Sequence, residues 1–257
     1  MKNTILNRKD TLLLEDVILR YGRIASFNQL KEIFKKEYSA IEVKKRVSIL
    51  TKAGWLFRIK KGLYVVITDI GSLNTNNVSE YDIISALNKD SYVSFENALQ
   101  YHGVFDQMLS TVSAITFKRA RRYKMRNVEI KFFKISGNLY FGFSGERGDV
   151  GIVNIAKKEK AILDILYFRS NEYYAGLVWQ KLNEYKNDFD FNLLKEYASK
   201  FNYDVIRQIG FFLDKLDIST NDLYKLISGK TSYSKMTKDS KVFNSKWRLY
   251  FDDKIVR

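Results

Sequence analysis

Lys118, Arg119, Arg121, Arg122, Lys124 and Arg126 place six cations within nine residues, with Tyr123 among them. Arginine outnumbers lysine in this run, unlike in the rest of the chain. Guanidinium groups offer paired donors that match phosphate oxygens, so the chemistry available is recognition of a polyanion. A second group of cations lies nearer the N-terminus: Lys44, Lys45 and Lys52 beside Ser48, followed by Arg58, Lys60 and Lys61. Residues 1–68 hold 15 basic and 6 acidic side chains, a charge of +9. Residues 117–134 hold 8 and 1, a charge of +7. The whole chain carries 44 basic and 29 acidic side chains, or +15, so the other 171 residues sum to −1. A lysine surplus without function would be spread along the chain. This one is concentrated, and a nucleic acid, DNA first, is the partner it implies.

The residues with types suited to catalysis fall short of a catalytic arrangement. Gly71-Ser72 followed by Glu80-x-Asp82 superficially resembles a nucleotidyltransferase metal motif. Its spacing is short, its first acid is Glu, and its flanks do not read as strand, turn and helix. Gly137, Gly142, Gly145, Gly148 and Gly151 match neither GxGxxG nor GxxxxGK[ST], and Gly229-Lys230-Thr231 closes a helix where a phosphate loop would open one. His102 is the single histidine and sits beside a terminating Gly103, as a helix-end hydrogen bonder does. Without cysteine there is neither a disulfide nor a thiolate ligand, so no metal or other cofactor is expected. Lys160 and Asp164, four apart, read as a supporting pair on a helix surface. These residues imply a protein that is not an enzyme.

The elements that must carry the cations can be read in order. Residues 10–21 have helical spacing and close at Gly22. Ser26-Phe27-Asn28-Gln29 and Ser39-Ala40-Ile41-Glu42 are two capping boxes, which start helices with Phe27, Leu30, Ile33 and Phe34 on one face and Val43, Val47 and Leu50 on the next. Around the helix that runs to about Ala53, the arc opposite the apolar one carries Ile41, Lys44, Lys45, Ser48 and Lys52 and no acid. Trp55 to Ile67 alternates through a Lys60-Lys61-Gly62 turn and reads as a hairpin. Three helices and a basic hairpin predict a winged helix-turn-helix over residues 1–70. Lys44, Lys45, Ser48 and Lys52 would then face a major groove, with Arg58, Lys60 and Lys61 on phosphates. Residues 71–79 are polar and turn-rich, a linker.

Residues 80–257 predict a second, α+β domain. Ser79 and Ser94 are candidate caps for two helices. Short strands over 111–118, 128–135, 139–144 and 150–155 predict an antiparallel sheet, with Lys118–Arg126 as a basic loop between the first two. Helices follow at 156–168, 175–186, 191–201, 203–216 and 220–228, with a helical tail to 257. At 257 residues, 46% hydrophobic and 15% aromatic, the chain is long and apolar enough for two modest domains or one large one. The opening MKNTILNRKD lacks a signal-peptide core, and no apolar run approaches membrane-spanning length. A soluble protein of the reducing cytoplasm, with no membrane partner, is the expectation.

Several blocks of this sequence resemble the AbiE antitoxin family, the regulator half of a type IV toxin–antitoxin system used in phage defence. They are Arg58-Ile59-Lys60-Lys61-Gly62-Leu63-Tyr64, the run Tyr92 to Gly103 (YVSFENALQYHG), Glu159 to Leu166 (EKAILDIL) and Ile209 to Leu213 (IGFFL). The blocks lie in matching order over residues 10–216. Relatives often have Pro before the Glu-Lys pair, where this chain has Lys158. The resemblance implies a DNA-binding transcriptional autorepressor whose partner is promoter DNA. It also implies antitoxin activity against a nucleotidyltransferase-type toxin that is not stably bound. Two other readings stand beside it: a plain winged-helix repressor without a toxin, and a nucleic-acid-processing enzyme.

Overall fold

The computed structural model describes residues 6–68, 79–125, 128–148 and 151–256. The architecture is α+β, with helices at the N-terminus, a mixed sheet and a helical C-terminal part. The chain divides into two compact units, Met1–Lys89 with Glu146–Val153 and Asp90–Gly145 with Asn154–Arg257. All of the expected linker except Ser79 lies outside the described residues, as do Arg126 and the Gly71-Ser72 pair.

In the first unit, α1 (Arg8–Tyr21), β1 (Ile24–Ser26), α2 (Phe27–Phe34), α3 (Ala40–Ala53), β2 (Leu56–Lys60) and β3 (Leu63–Val66) follow in the order of a winged helix. Both capping boxes form. Ser26 N–H donates to Gln29 Oε1 at 2.7 Å, and Ser39 N–H donates to Glu42 Oε2 at 2.8 Å. Leu13, Val17, Leu30, Ile33, Phe34, Val43, Val47 and Leu50 are buried between the three helices. Each such aliphatic or aromatic side chain contributes about 1.5–3 kcal/mol by leaving water. An ion pair between the buried Asp10 and the half-buried Arg46 joins α1 to α3, and Tyr38 Oη donates to the same carboxylate at 3.2 Å. β1 and β2 flank β3 in an antiparallel sheet. Gly62 turns the hairpin with φ +79°, a left-handed conformation that favours glycine, and its carbonyl accepts from Phe27 N–H at 2.8 Å. α4 (Glu80–Leu87) also groups with this unit and begins at the expected Ser79 cap.

The second unit is built on β4 (Ser91–Val93), α5 (Phe95–Tyr101), β5 (Thr111–Thr116), β6 (Arg121–Met125), β7 (Val128–Lys134), β8 (Phe143–Arg147) and β9 (Ile152–Ala156). The tip of the β8–β9 hairpin groups with the first unit. Six strands pair in the order β6-β7-β5-β4-β9-β8. The expectation of an antiparallel sheet is corrected: β5 runs parallel to β7, and β4 parallel to β9. The chain leaves β5, forms β6 at the outer edge and turns back, so β7 fills the gap running in the same direction as β5. The basic stretch expected as a loop is therefore largely an edge strand, placed by its pairing with β7.

Five helices follow: α6 (Lys158–Phe168), α7 (Glu172–Glu184), α8 (Phe191–Ala198), α9 (Tyr203–Lys215) and α10 (Asn221–Ile227). The helical tail is also corrected. Beyond α10 the chain forms β10 (Ser234–Lys235), β11 (Val242–Asn244) and β12 (Leu249–Phe251), a small sheet in the order β10-β12-β11, and then a 3-10 turn at Asp253–Val256. Trp247 anchors it. Its ring occupies the space a side chain at Gly210 would need, 2.1 Å from the position of a Cβ, and its Nε1–H donates to Asp214 Oδ2 at 2.6 Å. Arg207 on α9 is buried and donates to Ser234 Oγ and the Ser232 carbonyl, both at 2.8 Å.

Candidate nucleic-acid interface

α3 turns two different faces outward and inward. Val43, Val47 and Leu50 are buried, whereas Ile41, Lys44, Lys45, Ser48, Ile49 and Lys52 are exposed. The exposed set recurs at three- and four-residue steps, so it forms one stripe along the helix. Among the described residues, no carboxylate lies within ion-pair distance of Lys44, Lys45 or Lys52. Glu42, the nearest acid in sequence, is held in the Ser39 capping box, which lowers its pKa. The stripe thus presents three cations, a hydroxyl and apolar surface, with Glu42 attracting Lys45 through space from the neighbouring face.

The hairpin contributes unevenly. Arg58 and Lys61 are exposed. Lys60 is half-buried and donates to the Leu87 carbonyl at 3.2 Å, in the last turn of α4. A cation there satisfies a carbonyl that the helix cannot satisfy itself. The second basic patch is similarly divided. Arg119, Arg121, Arg122 and Lys124 are exposed, while Lys118 is ion-paired to Asp90. Tyr123 packs edge-on against Phe132 with ring centres 6.0 Å apart, which fixes the register of β6 on β7.

Deeper in the second unit lies a polar cluster that sequence reasoning placed on the surface. Lys160 and Asp164 are both fully buried and directly paired. Asp164 Oδ2 accepts from Ser94 Oγ at 2.7 Å and from Tyr92 Oη at 3.2 Å, and Lys160 Nζ donates to Tyr92 Oη at 2.9 Å. The rings of Tyr92, Phe141 and Phe201 lie 5.3, 5.2 and 4.9 Å from the ammonium. Burial raises the pKa of Asp164 and lowers that of Lys160. Ser94 is committed to this carboxylate and makes no side-chain cap for α5, contrary to the expected cap. The surface reading of the pair fails because α6 is apolar on nearly every side: Ala161, Ile162, Leu163, Ile165 and Leu166 are also buried. A continuous apolar run around Lys-x-x-x-Asp was the signal available in the sequence. His102, by contrast, sits as expected at the end of α5, with its Nε2 donating to the Ala156 carbonyl at 2.8 Å.

The runs Tyr92–Gly103, Glu159–Leu166 and Ile209–Leu213 therefore contribute to the scaffold. Tyr92, Ser94, Lys160 and Asp164 share one buried network, Glu159 accepts from Asp190 N–H at 3.0 Å, and Gly210 receives Trp247. Among the described residues, no group of three or more His, Asp or Glu side chains is placed to hold a metal ion, and no helix is long and apolar enough to cross a membrane.

No family model matches the chain, and no curated protein sequence matches it. Among solved structures, the fold is similar to that of the RV2827C protein from Mycobacterium tuberculosis, with a TM-score of 0.63 and 11% sequence identity. The likeness covers 96% of this chain and 92% of that one. At this identity the likeness is one of fold.

Proposed function

We propose that this protein is a non-enzymatic, DNA-binding transcriptional regulator that represses its own promoter. The observation that carries the proposal is the acid-free stripe Ile41, Lys44, Lys45, Ser48 and Lys52, exposed along α3 beside the Gly62 hairpin. A helix of 14 residues rises about 21 Å, ample to lie along a major groove. In this reading Lys44 and Ser48 reach base edges, and Arg58 and Lys61 contact phosphates. Lys60 holds the hairpin to α4 instead of touching DNA. Arg119, Arg121, Arg122 and Lys124 form a separate basic patch on the second unit, suited to phosphate contacts of its own. The further role, antitoxin to a nucleotidyltransferase-type toxin that is not stably bound, is supported by the four sequence blocks alone.

Footprinting on the DNA upstream of the gene tests the regulator. A protected site is expected, with log K falling against log salt at a slope near −5 if about six phosphates are neutralised. Uniform, salt-insensitive or absent protection would refute it. Co-expression with the product of a neighbouring nucleotidyltransferase gene tests the antitoxin role. Restored growth without co-purification is the expected result, and continued arrest removes that half of the proposal.

A further inference from the structure

The small C-terminal sheet has an outer face on which aromatic rings and lysines lie side by side. Lys235 on β10 is in register with Tyr250 on β12, and Tyr250 with Phe243 on β11. Residues paired in register share a face, so lysine, tyrosine and phenylalanine form one row across the three strands. Tyr233 extends the row, its ring centre 5.4 Å from that of Tyr250, and Phe243 lies 4.9 Å from the other side of it. The opposite face is buried through Ser234, Leu249 and Phe251, the last packed on Phe211 of α9 at 4.5 Å. The outer rings remain open: Tyr233 is 60% exposed and Phe243 45%. The rings touch one another, but much of their apolar surface stays in water, and contiguous exposed apolar surface of this kind marks a binding site.

The charge around the row is one-sided. Residues 230–248 hold 6 basic side chains and 1 acidic one. Of the six, Lys246 is paired to Asp214, and Arg248 donates to the Thr231 and Ser232 carbonyls. Lys230, Lys235, Lys238 and Lys241 are exposed, and Lys235 Nζ lies 5.7 Å from the Tyr250 ring centre. The rings are set edge-on and tilted to one another, at 77° and 47°, so each can offer a face or an edge. Open rings among cations match a single nucleic-acid strand, whose bases stack while its phosphates meet the lysines. A duplex hides its base faces, so this surface offers it no stacking. Bases are left unpaired in the loops and ends of RNA. We infer that the outer face of the β10-β12-β11 sheet is a stacking platform for single-stranded RNA, centred on Tyr233, Tyr250 and Phe243. The inference does not depend on duplex binding by α3.

The test uses the full chain and an end-labelled, unstructured eight-nucleotide RNA, compared by fluorescence anisotropy with an abasic ribose-phosphate chain of the same length and charge. The RNA is expected to bind at least about tenfold more tightly than the abasic chain, because each stacked base adds to an otherwise equal electrostatic attraction. Tyr233→Ala with Phe243→Ala should remove most of that preference, and Phe243→Trp should keep it. Phe243→Leu provides a second variant that retains apolar packing but lacks the ring. Lys44→Ala with Ser48→Ala should leave the preference intact, which separates this inference from the DNA reading. Equal binding of RNA and abasic chain overturns it. So does a preference for DNA of the same sequence, a preference unchanged in the variants, or a concentration-dependent dimer that Phe243→Leu dissolves.

Discussion

α3 and α6 are helices of similar make-up, each carrying lysines among aliphatic residues, yet they use the ammonium group in opposite ways. On α3 the cations Lys44, Lys45 and Lys52 stand in water, and among the described residues none of them is held in an ion pair. On α6 Lys160 is fully buried, paired to Asp164 and surrounded by three aromatic rings. The difference lies in the residues between. α3 alternates charge and aliphatic side chain with a period near a helical turn, so one side can face solvent. α6 has apolar residues on every side, so any charge there must enter the interior with its counter-ion. Lysines become available to a ligand through the pattern around them, and their number alone does not indicate function.

The largest effect that bears on this comparison should come from α6. Lys160→Met leaves the Asp164 carboxylate buried without its cation and should cost about 3–5 kcal/mol in urea unfolding. Adding Asp164→Leu should restore most of that loss. The pH dependence of the single variant has a definite sign. Burial already raises the native pKa of Asp164, and removal of Lys160 takes away the largest influence that lowers it. The protonated carboxyl is then the form the fold tolerates. The variant should be closest to the parent below the unfolded-state pKa of about 4 and fall behind as pH rises through the native value. A deficit that shrinks toward neutral pH would contradict the burial of the pair.

On α3 the expected losses are in binding and not in folding. Lys44→Ala or Ser48→Ala should cost about 1–3 kcal/mol on a preferred DNA site and little on random DNA. Lys61→Ala should weaken both alike, as a phosphate contact does. Titrations on the two DNAs decide it, and equal losses from the helix variants would mean that α3 does not read bases. Ser39→Ala removes one partner of the capping box and should lower stability by about 1 kcal/mol. Thermal unfolding measures this, and an unchanged midpoint would show that packing on α1 holds α3 without its cap. The smallest effect belongs to the edge strand. Arg121→Ala or Arg122→Ala on the strand, or Arg119→Ala just before it, should each move stability by no more than about 0.5 kcal/mol. A larger drop would assign those arginines to the fold, as with Lys160.

Local chemistry was legible where the interaction that sets a structure is itself local. Ser26 with Gln29 and Ser39 with Glu42 lie three residues apart, and the helices begin where those pairs do. The Lys60-Lys61-Gly62 turn and the adjoining strands were equally readable, and so were the helices from α6 to α10. The pairing direction of β5 and β7 was not, because it depends on where β6 lies, a relation between strands and not within one. β6 was hidden by its own charges: an edge strand held by its ladder and Tyr123 lacks apolar alternation. β10, β11 and β12 have two or three residues each, too few to show a period. Their basic surroundings were concealed by averaging, because six cations in residues 230–248 vanish into a stretch of 171 residues that sums to −1. At the candidate interface, the exposed stripe on α3 followed from periodicity, whereas the engagement of Lys60 with α4 and of Lys118 with Asp90 depends on chain segments distant in sequence.

The slot at Gly210 also sets a schedule. The indole that fills it belongs to a residue 37 positions later, the difference between 247 and 210. A ribosome adding roughly 5–20 residues per second delivers Trp247 about 2–7 s after Gly210. During that interval α9 has emerged without the ring that closes over Gly210 and without Phe251 to cover Phe211. Synthesis that stops short of Trp247 makes the delay permanent, so a chain cut there carries an apolar surface that the finished protein never shows to its surroundings.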